Sequence, residues 1–267
     1  MRTRTKLTVS LTVFFLACVA VAAFVRTQFV APIIMYHSVS PQAQPENRLA
    51  VRPETFARQM RFLKTHHYNV VPLEAVAAMI KEKKTLPPKT IAITFDDGYK
   101  DNFTYAYPVL KEFNLPATVF IIVHEVERPQ NDRLSWKEIE QMCDSGLIDI
   151  GSHAIGPEPL VNIKSDSEVR RQIFDSRKIL EEKLARKVTL FSYPEGLFNE
   201  KIRQLVIDAG YGAAVATKAR GFSGGDVFAL KRIRISENAG NEFVFAFELS
   251  GYYPFLKGYK NQKHGKK

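Results

Sequence analysis

Cysteine is nearly absent from this chain of 267 residues: only Cys18, in an apolar run, and Cys143, in a predicted helix, occur. No disulfide framework can therefore staple the fold, and cysteine usage neither supports nor opposes export. Tryptophan occurs once, as Trp136, and no internal repeat divides the sequence. Acidic residues are missing from both ends. Residues 1–26 hold Arg2, Arg4, Lys6 and Arg26 and no acid, and residues 251–267 hold Lys257, Lys260, Lys263, Lys266 and Lys267 and no acid. Nine of the 38 Lys and Arg residues lie in these two segments, which leaves 29 basic against 28 acidic residues in 27–250. The net charge of +10 thus belongs to the ends, and the near-neutral body gives no footing for a nucleic-acid partner.

Charge is also absent from Leu7 to Val25, LTVSLTVFFLACVAVAAFV. As a helix these 19 residues span roughly 28 Å at about 1.5 Å each, close to the roughly 30 Å of bilayer hydrocarbon. The basic cluster before them predicts that the amino terminus stays cytoplasmic and the remainder is exported, to the periplasm or cell surface. Residues 1–26 therefore read as a transmembrane signal anchor. A cleaved signal peptide is the rival, with Ala20 and Ala22 before a cut at Ala23, and it would leave the protein secreted. Residues 27–250 form the body, and 251–267 a basic tail.

The body alternates short apolar runs with helix-period segments, the pattern of an α/β domain with parallel strands. Strands are predicted at 32–36, 90–95, 117–123, 147–152, 188–193, 211–217 and 230–235. Phe56, Met60 and Leu63 recur at helical spacing. Ser165 and Glu168 offer a capping box for a helix running to about Arg186, Asn199 can cap a helix that stops at Gly210, and 241–249 reads as a last helix. About seven strand and helix units predict a distorted (β/α) barrel, with an open doubly wound sheet as the alternative.

Both architectures put chemistry at the carboxyl ends of strands. Just past those ends stand His37, the pair Asp96 and Asp97, His153, and the turn YPEG from Tyr193 to Gly196. Adjacent carboxylates repel, so one of them commonly binds a cation or a proton. If Asp97 ligates a metal, Asp96 is free to take a proton from water. With His153 at another strand end, a carboxylate and imidazole site for a divalent ion follows, zinc being the ordinary choice.

These residues lie in PIIMYHSVS, LPPKTIAITFDDGYKDN, YPVLKEFNLPATVFI, IGSH, FSYPEG and AGYGAAVAT. From about Pro32 to Ser236 the sequence resembles the polysaccharide deacetylases of carbohydrate esterase family 4, the NodB-homology domain. TFDDGY followed by PATVF is the specific part; MYH or IGSH alone is weak. The resemblance implies a distorted (β/α) barrel and metal-assisted hydrolysis of acetyl groups on an acetylated polysaccharide, with N-acetylglucosamine-containing glycans first among them. It makes Asp96 the general base, Asp97 and His153 metal ligands, and YPEG the source of a backbone N–H for the developing oxyanion, with Glu195 in place of the usual tyrosine.

Two departures follow. Many members take their acid histidine from a late motif, but no histidine lies between His153 and His264. In the poly-β-1,6-N-acetylglucosamine deacetylase subgroup the acid comes from the amino-terminal motif, which makes His37 the candidate acid. The second metal histidine, four residues after the first, is replaced by Pro157. Glu158 is then the candidate third ligand, or a turn residue that points to solvent. Arg232 and Arg234 alternate with Ile233 and Ile235, so one can sit against Asp96, or both can line a solvated face. Trp136 can contact sugar or pack, while His66, His67 and His124 read as structural or surface residues. The competing reading is a pseudoenzyme of the same fold that binds glycan or organises an envelope complex without hydrolysis. Oligomeric state is not legible.

Overall fold

The computed structural model describes residues 32–128, 130, 132–217 and 225–253, together with Phe15, Cys18 and Val19. The body, 31–249, forms one compact unit. Among the described residues no helix is long and apolar enough to cross a membrane. The span expected over Leu7–Val25 lies outside them apart from the three residues just named.

The main unit is a parallel α/β barrel. Its chain runs β1 (Ile33–Tyr36), β2 (Ser38–Val39), β3 (Ala50–Val51), α1 (Pro53–Thr65), β4 (Asn69–Val70), α2 (Leu73–Lys81) and β5 (Thr90–Phe95). A π-helical turn (Asn102–Ala106) leads into α3 (Tyr107–Phe113), followed by β6 (Ala117–Ile121), α4 (Trp136–Asp144), β7 (Ile148–Ser152) and α5 (Asp166–Leu184). Then come β8 (Leu190–Ser192), α6 (Glu200–Asp208), β9 (Ala213–Ala216), β10 (Leu230–Lys231), β11 (Ile233–Arg234) and α7 (Glu242–Glu248).

The sheet order is β10-β9-β8-β7-β6-β5-β1-β11, and every pairing is parallel. Its two ends are one stretch of chain, interrupted only by Arg232. Before Arg232 the chain pairs with β9; after it, with β1. The Arg232 N–H donates to Ala216 O at 3.0 Å, and the Ile235 N–H to Met35 O at 2.9 Å. That switch closes the sheet, so the open doubly wound alternative fails, and each predicted strand supplies a member of the ring.

Side chains alternate between faces along each strand. Tyr36 and Phe95 point outward, where their rings meet each other and Phe56 of α1. Their neighbours Met35 and Thr94 therefore face inward. Ile33, Ala92, Phe120, Leu190, Ala213, Val215 and Leu230 fill the lower interior, and Leu73, Val76 and Ala77 of α2 pack onto this cluster. Gly151 belongs to this packing: a Cβ there would meet the Phe120 ring at 2.4 Å and Leu190 O at 3.1 Å. The glycine of IGSH is thus fixed by the neighbouring strand's aromatic.

Helix starts follow local chemistry. Ser135 and Glu138 form a full capping box on α4. Ser165 accepts from Glu168 N at 3.3 Å, but the Glu168 carboxylate turns to Arg171 and Gln172, so the box expected there is half formed. Asn199 caps α6 as expected, accepting from Ile202 N at 2.9 Å. Arg52, ahead of α1, has no capping side chain. Glu237 supplies the carboxylate from afar, accepting from Arg52 N and from Thr55 Oγ1, each at 2.8 Å.

Gly151→Ala is expected to lower stability by about 1–3 kcal/mol through overpacking, read as a fall in the urea midpoint. Gly156→Ala, where the nearest atom is Gln172 Oε1 at 3.8 Å, should barely move it. Equal shifts would remove the packing explanation.

Candidate functional site

The carboxyl ends of β1, β5, β7 and β8 bring the predicted residues to one mouth of the barrel. Asp96 follows β5 and is 3% exposed. Arg232, at the strand switch, donates from Nη1 to Asp96 Oδ1 at 2.6 Å and from Nη2 to Asp96 Oδ2 at 2.5 Å. Nη2 also donates to Ser192 Oγ at 2.9 Å, and Nη1 to Thr94 Oγ1 at 3.3 Å. The solvated strand face is therefore wrong for Arg232, because closure of the barrel turns it inward, whereas Arg234 is only half-buried. Burial by itself raises the Asp96 pKa. The charges of Arg232 and His153, the Arg232 hydrogen bonds and the charge of His37 outweigh it and hold Asp96 at about 2.

Asp97 is turned away from its neighbour by a left-handed backbone, φ +70°, with Gly98 at +63° beside it. His153 Nδ1 lies 2.8 Å from Ser192 O. A carbonyl only accepts, so the proton is assigned to Nδ1 and the lone pair to Nε2. Nε2 stands 3.5 Å from Asp97 Oδ1 and 3.9 Å from Asp96 Oδ2. Two donors on one tetrahedral zinc would be roughly 3.3 Å apart, given bonds of about 2.0–2.1 Å. Asp97 and His153 thus fit as half of a cation site.

Glu158 does not complete it. Among the described residues no three His, Cys, Asp or Glu side chains gather closely enough to hold a metal ion. The loop after β7 is tied to α5: Ile155 N and Gly156 N both donate to Gln172 Oε1, at 3.1 and 2.8 Å. Pro157 and Glu158 lie exposed beyond that tie. The glutamate expected as third ligand is a surface turn residue in this arrangement.

His37 follows β1, one step beyond the Tyr36–Phe95 register pair, and so stands beside Asp96. Burial lowers its pKa from the ordinary value of 6.5; Asp96 and Asp97 pull it up, and Arg232 and Arg234 lower it further. Its Nδ1 is buried without a hydrogen-bond partner. The remainder of TFDDGYKDN holds this strand end in place. Asn102 Nδ2 donates to His37 O at 2.7 Å, and Asp101 accepts from Ser38 Oγ at 2.5 Å and Val39 N at 3.1 Å. Asp101, Asn102, Thr94 and Ser192 all lie in stretches already noted in the sequence, but polar residue type alone did not mark them as supports. In the YPEG turn Glu195 and Gly196 have φ of +53° and +67°. Gly196 allows close approach, since a Cβ there would fall 2.1 Å from Thr217 Oγ1. Trp136 is half-buried, with Lys183 Nζ 5.6 Å from its ring centre. His66 stacks on Phe62, and His124 is exposed.

A buried, ionised carboxylate thus stands beside an aspartate and a histidine at the mouth of a parallel α/β barrel. The family model described as polysaccharide deacetylase matches residues 83–214. The Bacillus subtilis protein YxkH, named as a polysaccharide deacetylase, is 32% identical over 218 residues, covering 80% of this chain and 75% of that protein. The poly-beta-1,6-N-acetyl-D-glucosamine N-deacetylase of Staphylococcus aureus is 28% identical over 234 residues, 82% of this chain and 78% of that one. The structure of the Streptococcus pyogenes deacetylase PplD in complex with acetate superposes with a TM-score of 0.71 at 26% identity, covering 78% and 93% of the two chains. The chain belongs to the polysaccharide deacetylase family.

Arg232→Met would leave Asp96 buried without its counter-charge, at an expected cost of about 3–5 kcal/mol at neutral pH. A carboxylate depressed to about 2 contributes stability that is present above its unfolded value near 3.9 and lost as pH falls through about 2. The penalty of Arg232→Met should therefore shrink on acidification, and Asp96→Asn in the same chain should recover part of it. Denaturant midpoints at neutral and acid pH read both; a penalty independent of pH would rule the ion pair out as its cause.

Proposed function

We propose that this deacetylase removes acetyl groups from an N-acetylglucosamine-containing polysaccharide outside the cytoplasm, tethered to the membrane through Leu7–Val25. The observation that carries the reading is the Asp96 carboxylate, fixed by Arg232 and facing the Asp97–His153 pair.

Asp97 and His153 would hold a divalent cation, zinc by the character of the donors. When bound it would polarise the acetyl carbonyl and acidify water, which a base as weak as Asp96 needs. Asp96 accepts the proton of the attacking water through a lone pair that Arg232 leaves free, and Arg232 fixes the direction of that lone pair. The Glu195 N–H in the YPEG turn is the candidate donor to the developing oxyanion. His37 delivers a proton to the leaving amine nitrogen. Its lowered pKa means that this acid form is populated only on the acid side of the ordinary histidine range. The exposed position of Glu158 favours a second reading, a glycan-binding member with a weakened metal site.

Acetate release from partially acetylated glucosamine oligomers tests the proposal. Asp96→Asn should lose at least about 100-fold, the usual scale for a removed general base, and chelation followed by added zinc should abolish and then restore turnover. For the amide, kcat/KM should fall as pH rises through a value below 6.5, the ordinary histidine value. That limb should vanish in His37→Ala, which should retain more activity on aryl acetates, whose leaving group needs no proton. No bound metal and no acetate from the parent protein would favour the binding reading.

A further inference from the structure

Arg234 and Arg48 stand at the same mouth and carry no step of this chemistry, although Arg234 disfavours the charged form of His37. Arg234 is the register partner of Met35 on β1, and alternation along the strand places it on the inner face with Arg232, two residues nearer the mouth. Arg48 arrives by another route: its neighbour Leu49 accepts from Ser38 N at 2.9 Å, just past His37. The two guanidiniums feel each other. Burial lowers the Arg234 pKa, the like charge of Arg48 lowers it further, and Asp96 acts in the opposite direction. Arg234 in turn disfavours the charged form of His37, two residues beyond its register partner Met35 on β1.

Among the described residues, other cations of this end of the barrel are paired. Arg133 pairs with Asp132 at 3.0 Å and Glu125 at 3.5 Å, and Lys100 with Glu138 at 3.7 Å. The side chains of Arg48 and Arg234 make no ion pair or hydrogen bond among the described residues. Holding a half-buried guanidinium beside a like charge without an acceptor is unfavourable in the free protein, and an incoming anion relieves it. The planar fork of arginine suits a carboxylate or a phosphate. The same charge opposes a polymer of free glucosamine, because every deacetylated unit is an ammonium that the mouth repels.

We propose that Arg234 and Arg48 form an anion subsite beside His37, so that the preferred substrate is an acidic acetylated polysaccharide whose carboxylate or phosphate lies on or next to the acetylated sugar. This inference rests on the deacetylase reading of the site and narrows its substrate.

Three N-acetylated oligosaccharides of equal length test it: one neutral, one with uronate carboxylates and one with phosphate groups. The parent protein should favour one of the acidic pair over the neutral one by at least about tenfold in kcat/KM, carried mainly by KM, as expected for a charge-assisted contact. The two acidic arms separate carboxylate from phosphate recognition. Added salt should shrink the preference, and Arg234→Gln or Arg48→Gln should bring the ratio toward one, whereas a merely structural role would lower all three rates alike. Equal kcat/KM on the three, or a preference that survives Arg234→Gln, overturns the subsite. Calorimetric binding of an acetyl-free oligouronate, an acetyl-free phosphorylated oligosaccharide and a neutral oligoglucan separates this from failure of the deacetylase reading. Tighter binding of either acidic probe, lost in Arg234→Gln, without acetate release from any substrate would keep the subsite and remove the enzyme. Acetate release together with equal binding would do the reverse.

Discussion

The pairing of Arg232 with Asp96 joins the closure of the barrel to the chemistry at its mouth. Arg232 occupies the single position where the last strand leaves β9 for β1, and its backbone N–H still bonds across the seam to Ala216. Its side chain is 1% exposed and points at a carboxylate that is 4% exposed. Removing both ions from water is unfavourable, and the pair is tolerated because two direct hydrogen bonds, Thr94 and Ser192 satisfy most of the guanidinium. The same contact that completes the ring therefore fixes the charge and direction of the candidate base.

Ser192 carries this constraint one strand further. Its hydroxyl accepts from Arg232, while its carbonyl accepts from His153 Nδ1 and so presents Nε2 to Asp96 and Asp97. Asp96, through Arg232, and His153 are thus both oriented by one residue on β8. Gly151 contributes from below, since its missing side chain lets Phe120 fill the interior beneath the histidine. On the opposite side Asn102 and Asp101 hold the end of β1 that bears His37. The site is built from side-chain ties between strand ends, which explains how the irregular loop after β7 still leaves one imidazole aimed.

The charge around that site is uneven. Asp96 is paired with Arg232, Asp97 faces His153, and the Arg234 side chain, on the inner face of β11, has no acceptor among the described residues. The proposed anion subsite makes electrostatics, as well as pocket shape, bear on which polymer can enter.

Much of this was legible in advance. Short apolar runs set between helix-period segments located every strand of the ring, and TFDDGY with PATVF marked the family, because strand formation and turn chemistry depend on neighbours in sequence. Asp96, Asp97, His37 and His153 were legible for the same reason: parallel barrels put strand ends on one face. The sequence by itself could not choose between a closed barrel and an open sheet, or between a buried and a solvated Arg232, since both depend on which strand the segment 230–235 pairs with. Nor could spacing decide Glu158. Counting five residues past His153 left it a candidate ligand or a solvent-facing turn residue, and Gln172, 14 residues beyond Glu158 on α5, holds the preceding loop while the glutamate lies exposed. Sequence fixes what each residue can donate or accept locally, and only the tertiary structure decides which partners come within reach, because those contacts join segments that are distant along the chain.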